Sequence, residues 1–244
     1  MIDKQKLITY AADYGVVVDD IAADKFDRYA QLLVEWNEKM NLTAITEPTE
    51  IVLKHYVDSL TAVPFLPKKD EVTLIDVGTG AGFPAIPLAI ACPHVRVTLL
   101  DSLNKRLLFL QEVCRELGID AQTVHARAED GGNLPALREQ FDVAVARAVA
   151  ALPVLAEYCL PFCKVGGSFL AMKGPESDAE YSAAKTAVTV LGGKEKMAHS
   201  FLLPATAEAN IEQQERRIFV FEKIKPTPVK YPRPTAKIKK EPLR

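Results

Sequence analysis

The chain has 244 residues, 48% of them hydrophobic and 25% charged, with a net charge of -2. Those proportions belong to an ordinary globular chain with one sizeable core and an accessory segment, and they exclude a repetitive or low-complexity class. No apolar run reaches the roughly 18 residues of a membrane span. The start of the chain has no secretory apolar core, and Cys92, Cys114, Cys159 and Cys163 form no paired C-x-x-C units, so the expectation is a soluble, cytoplasmic protein with reduced thiols.

Residues 1–66 read as a helical extension. Ile21, Phe26, Tyr29, Leu32, Leu33, Trp36 and Met40 recur at three- and four-residue spacings, which predicts one amphipathic helix with its aromatics in the core. A further helix is expected after Glu47-Pro48-Thr49, with Thr46 or Thr49 near its start, carrying Ile51, His55, Asp58 and Ser59. His55 and Asp58 stand one helical turn apart, a spacing that allows mutual contact and that marks a structural hydrogen bond more often than a catalytic dyad.

From Glu71 the pattern alternates. Strands are expected at 72–77, 95–101, 120–125, 141–146 and 167–172, with helices at 83–91, 103–117, 151–162 and about 176–191. Such alternation predicts an α/β fold with a parallel, doubly wound sheet. Two late segments near 196–203 and 216–224 suggest an antiparallel pair that completes it. Gly131-Gly132-Asn133 and Gly192-Gly193 read as turns. The domain reading is 1–66 for the extension, 67–225 for the ligand-binding domain and 226–244 for a tail.

Thr73-Leu-Ile-Asp76-Val-Gly78-Thr-Gly80-Ala-Gly82-Phe83-Pro84 is the most informative stretch, because an apolar strand runs directly into a glycine turn that opens a helix. Such a turn lets backbone approach a ligand closely. The spacing departs from G-x-G-x-x-G, and Phe83-Pro84 closes the helix start that a pyrophosphate would need. An adenosine ligand without a pyrophosphate fits better than NAD, and S-adenosylmethionine is the common one. Asp101 ends the second strand, where a carboxylate meets ribose hydroxyls.

Ligands of open α/β sheets bind beyond the carboxyl ends of the strands. The residues there are Gly78, Gly80, Gly82 and Phe83, then Asp101 and Ser102, then Ala128 and Glu129, then Arg147, then Lys173 and Gly174. Arg147 and Lys173 set two cations on the rim where a phosphate-bearing substrate would lie. Residues 216–244 hold ten basic and two acidic residues, a candidate footprint for a polyanion, and several prolines, Pro226, Pro228, Pro232 and Pro234 among them, predict a stiff, extended tail. No metal-binding or nucleophile signature is present. Methyl transfer needs neither, because the sulfonium cofactor supplies the electrophile.

Taken in order, the blocks Asn41-Leu-Thr-Ala-Ile, His55-Tyr-Val-Asp58-Ser59-Leu, Asp76 to Pro84, Leu100-Asp-Ser-Leu-Asn-Lys105-Arg106, Arg127-Ala-Glu129, Ala146-Arg147-Ala-Val-Ala, Lys173-Gly174 and Tyr231-Pro-Arg233 resemble the RsmG (GidB) family. Members of that family methylate N7 of a guanine in 16S ribosomal RNA. The resemblance spans nearly the whole chain and implies a class I, Rossmann-like methyltransferase fold with a mostly parallel seven-stranded sheet. It implies S-adenosylmethionine contacts at Gly78, Phe83, Ala128, Glu129 and Arg147, with Asp101 near the ribose and Arg147 also available to position substrate. It further implies RNA contacts at Arg106, Lys173, Arg217 and Arg233, and 16S rRNA or the small ribosomal subunit as partner of a monomeric enzyme, with no DNA or membrane partner. Two residues depart from the family pattern: Ala85 and Ala236 stand where glycine is expected. The other readings are a non-catalytic RNA-binding or assembly factor on the same fold, a small-molecule methyltransferase and a nicotinamide oxidoreductase.

Overall fold

Seven strands, β1 (Val72–Val77), β2 (Val95–Asp101), β3 (Ala121–His125), β4 (Phe141–Arg147), β5 (Cys163–Lys173), β6 (Gly193–Leu203) and β7 (Gln214–Lys223), form one sheet in the order β3-β2-β1-β4-β5-β7-β6. The architecture is taken from a computed structural model, which describes residues 1–175, 177–206 and 211–243. β1 to β5 pair in parallel, while β7 runs antiparallel to both β5 and β6. β1 and β4 are buried almost throughout, as strands covered on both faces must be. Successive residues Leu74 and Ile75 accordingly fall in two different apolar clusters on opposite faces of the sheet.

The helices are α1 (Lys4–Ala12), α2 (Asp20–Met40), α3 (Pro48–Glu50), α4 (Asp58–Leu60), α5 (Ala85–Ala91), α6 (Asn104–Leu117), α7 (Ala128–Gly131), α8 (Leu152–Cys159), α9 (Asp178–Val190) and α10 (Thr235–Lys240). One face of the sheet carries α2, α5 and α6 through Phe26, Tyr29, Leu88 and Phe109. The other carries α8 and α9 through Leu155 and Ala187. No helix among the described residues is long and apolar enough to cross a membrane. All four cysteines are unpaired and buried.

The N-terminal extension corrects two expectations. Asp19 caps α2 by accepting from the Ala22 N–H, and the buried stripe runs through Ala22, Ala23, Phe26, Tyr29, Ala30 and Leu33. Ile21 falls outside that stripe and is 71% exposed, while Trp36 and Met40 are half-buried. The next helix starts at Pro48, with Thr46 and Thr49 near its start as expected, and is capped by the Glu47 carboxylate, which accepts from the Glu50 N–H at 2.9 Å. Between α3 and α4 the chain winds as a π-helix over Ile51–Val57. The wider i→i+5 winding separates His55 from Asp58, and each finds another partner.

The basic tail is not an extended arm. Tyr231 and Ile238 are buried, residues 235–240 form α10, and the Arg233 guanidinium lies against the fully buried Glu157 of α8. Lys223, also counted in the basic end, is itself buried and donates to the Leu160 carbonyl at 2.7 Å and the Thr227 hydroxyl at 2.6 Å. Apolar burial, the Arg233–Glu157 ion pair and the Lys223 hydrogen bonds outweigh the stiffness that the prolines impose. Glu176, which the sequence placed in a helix, and the terminal Arg244 lie outside the described residues.

Candidate functional site

The glycine turn joins β1 to α5 with positive φ at Gly78 (74°), Gly80 (61°) and Gly82 (99°). A Cβ at Gly82 would meet the Tyr29 hydroxyl at 2.6 Å, Leu110 at 2.8 Å and Ile86 at 2.9 Å, so no side chain fits there. Tyr29 also donates its hydroxyl to the Ala81 carbonyl, and its ring stacks on Phe83 at 5.4 Å. The extension therefore grips the turn from beneath. Asp76 lies under the turn, fully buried, and its Oδ2 accepts from the Thr79 hydroxyl at 2.9 Å and the Ala85 N–H at 3.2 Å. Ala85, one of the two departures from the family pattern, thus serves through its backbone.

Asp76 Oδ1 has no hydrogen-bond partner among the described residues. Burial raises its carboxyl to about 7 against the pull of its two donors. A buried carboxylate oxygen without a donor, at the floor of a glycine cradle, suits a ligand that brings a positive charge or an N–H. Asp101 closes the next strand at 2% exposure, accepting from Gly80 N at 3.0 Å, Leu103 N at 2.9 Å and Arg106 Nη1 at 3.3 Å. Ser102 is exposed, with its carbonyl accepting from His125 Nε2. Ala128 and the buried Glu129 follow β3 on the short α7. These are the residues that would hold an adenosine ligand.

Next to the glycine turn is a cavity of about 450 Å³ at the carboxyl ends of β4 and β5 and the start of β7. Five cations line it: Lys54, Arg147, Lys173, Arg216 and Arg217. Asp58 is the single carboxylate among the lining residues, and it bridges two strands. Its Oδ2 accepts from Arg147 Nη1 at 2.6 Å and its Oδ1 lies 3.3 Å from Arg216 Nε. Arg147 also donates to the Lys54 carbonyl at 3.2 Å and sits 5.2 Å from the Phe83 ring centre, linking the cavity to the glycine turn. His55 stacks on that same ring at 4.2 Å and pairs with the Thr43 hydroxyl at 3.0 Å. Burial, reinforced by Arg147, pushes its imidazole down to about 3, so it is neutral at any physiological pH.

The four RNA candidates are not equivalent. Lys173 and Arg217 face each other across the β5–β7 register and both line the cavity. Each already has an acid: Glu180 lies 2.7 Å from Lys173, and Asp178 and Glu215 hold Arg217. Arg106 stands apart on the glycine side, paired with Asp101. Arg233 does not line the cavity, and its guanidinium is taken up by Glu157. Lys54 carries no role in the sequence pattern, Arg216 enters only as part of the basic 216–244 segment, and His55 and Asp58 read as a structural pair more readily than as a catalytic dyad. The available signal was the position of Lys54 next to the His55-Tyr-Val-Asp58 block, whereas only the fold brings that block to Arg147 and Arg216.

The family model for rRNA small subunit methyltransferase G matches residues 22–211. The chain is 51% identical to a ribosomal RNA small subunit methyltransferase G from Exiguobacterium sp., over 94% of each chain. It is 50% identical to that of Acetivibrio thermocellus, over 98% of this chain and 96% of the other. Among solved structures, the fold resembles M. jannaschii TYW2 in complex with AdoMet, with a TM-score of 0.54 and 13% identity over 74% of this chain and 80% of that one. It also resembles the YcgJ protein of Bacillus subtilis, with a TM-score of 0.53 and 13% identity over 70% of this chain and all of the other. At such identities these two structures speak for the fold alone.

Proposed function

The chain belongs to the rRNA small subunit methyltransferase G family, and from that premise we propose that it methylates N7 of a guanine in 16S rRNA, using S-adenosylmethionine. The observation that carries the substrate side is the cavity itself: five cations against one carboxylate, beside the glycine turn. The acids that pair the other cations, Glu50, Glu180, Asp178 and Glu215, stand outside the lining, so the cavity wall itself is cationic and suits a chain of phosphates rather than a free base or a neutral metabolite.

The glycine turn, Asp101, Ala128 and Glu129 would hold the adenosine end of the cofactor. Asp76 Oδ1 would face its positive charge. Bound there, the cofactor supplies the methyl group as an electrophile. Guanine N7 carries a lone pair and no proton, so the attack needs no general base. The work of the protein is placement: Arg147, fixed by Asp58 and the Lys54 carbonyl, holds the border between the two halves of the site. Phe83 and the neutral His55 give that border an uncharged stacking surface. N7 lies on the deep-groove edge of A-form RNA, so the target guanine has to be unpaired or otherwise exposed.

The test is methyl transfer from labelled S-adenosylmethionine to small subunits from a strain lacking this protein, read by nucleoside mass spectrometry. The expected product is 7-methylguanosine at one site. Cofactor binding without incorporation would instead point to an RNA-binding or assembly factor on a methyltransferase fold.

A further inference from the structure

After β7 the chain doubles back over α7, and two side chains tie the layers together. Asn133 Nδ2 donates to the Glu129 carbonyl at 2.9 Å and to the Pro232 carbonyl at 3.2 Å. Arg138 Nη1 donates to the Gly132 carbonyl at 2.9 Å and to the Tyr231 carbonyl at 2.8 Å, while its Nη2 reaches the Thr227 carbonyl at 2.7 Å. Each side chain therefore joins a carbonyl at α7 to the C-terminal segment, Asn133 through one carbonyl there and Arg138 through more than one. The contact is close: a Cβ on Gly132 would lie 3.0 Å from the Pro232 ring.

The far end of the segment is anchored as firmly. Arg233 donates from Nε to Glu157 Oε1 at 2.9 Å and from Nη2 to Oε2 at 2.7 Å, and its own N–H donates to Oε1 at 2.9 Å. Glu157 is fully buried and the Arg233 side chain is 13% exposed. An RNA phosphate would have to strip that guanidinium from a carboxylate with no access to water, an exchange that leaves a buried charge unpaired.

A four-residue helix such as α7 is too short to hold its own shape. We infer that residues 227–241 form a strap that holds α7 in its ligand-ready conformation, with Asn133, Arg138 and Arg233 as positioning residues for the cofactor rather than contacts for RNA. The inference rests on the reading that Ala128 and Glu129 border the cofactor. It reverses the expectation that Arg233 acts through RNA.

Full-length protein is titrated calorimetrically with S-adenosylmethionine, and binding to small ribosomal subunits is followed across a salt series, for wild type, Asn133→Ala, Asn133→Asp and Arg233→Met. Asn133 is exposed, so its replacement removes donors without opening the core. If loosening leaves α7 competent about a tenth of the time, cofactor Kd rises about tenfold. The rise is expected in both Asn133 variants, since aspartate keeps the size but cannot donate, and in Arg233→Met. Subunit affinity and its salt slope should stay at wild-type values. Unchanged cofactor affinity in all three variants overturns the strap, and a shallower salt slope in Arg233→Met would return that residue to RNA contact. Wild type that bound no S-adenosylmethionine would sink the cofactor reading itself, a failure separable from that of the strap.

Discussion

The two halves of the site are built from opposite materials. On the glycine side the ligand surface is mostly backbone, shaped by residues that lack side chains and by two buried carboxylates, Asp76 and Asp101, satisfied largely by N–H and hydroxyl groups. On the cation side the surface is long side chains, and every one of its five cations is paired with an acid. A cradle of backbone is rigid and recognises one shape. A set of paired cations has its geometry fixed before substrate arrives, yet the exposed pairs are weak enough to exchange one anion for another.

That contrast can be broken first at Gly82. Gly82→Val sets a branched side chain where Tyr29, Leu110 and Ile86 already stand and at a φ that L residues avoid, so it should cost at least about 3 kcal/mol and abolish cofactor binding. Thermal unfolding and calorimetry read both effects. Wild-type stability would show that the grip of Tyr29 on the turn yields.

Asp58→Asn tests the cation side. Loss of the bridging charge leaves Arg147 and Arg216 to repel each other, and kcat/KM on small subunits should fall roughly a hundredfold while cofactor affinity changes little. An equal loss in cofactor affinity would mean that the two halves are one unit.

Asp76 gives the glycine side a pH signature. Its folded value of about 7 lies above the ordinary 3.8. The protonated group therefore contributes stability that is fully present below the unfolded value and is lost as pH rises through about 7. A cationic ligand favours the ionised form, so S-adenosylmethionine affinity should weaken by about tenfold for each pH unit below 7. Asp76→Asn should flatten both trends, and a pH-independent cofactor affinity in the wild type would remove Asp76 from the ligand surface.

The smallest effect is expected at Asp178, which is 74% exposed and pairs with Arg217. Asp178→Asn should tighten subunit binding at low salt by no more than about fivefold, with the gain lost at high salt. Weaker binding would show that the acid orients Arg217 instead of competing for it.

The sheet, the glycine turn and the acid at the end of β2 are legible in the chain, because strand periodicity, glycine spacing and the strand-turn-helix order are local properties written in neighbouring residues. β1 to β5, the antiparallel β6–β7 pair and the three turn glycines all stand where that pattern put them, give or take a few residues at their ends. Which charge meets which depends on the folded arrangement. Asp58 and Arg216 are brought together by a π-helix and by the β4-β5-β7 strand order, and Arg233 and Glu157 by a chain that folds back on itself. A run of basic residues in sequence fixes the charge but not its partner, and the fold gives the Arg233 guanidinium the buried Glu157. Ion pairing depends on distances of a few ångströms between residues far apart in the chain, and those distances exist only once the sheet has formed.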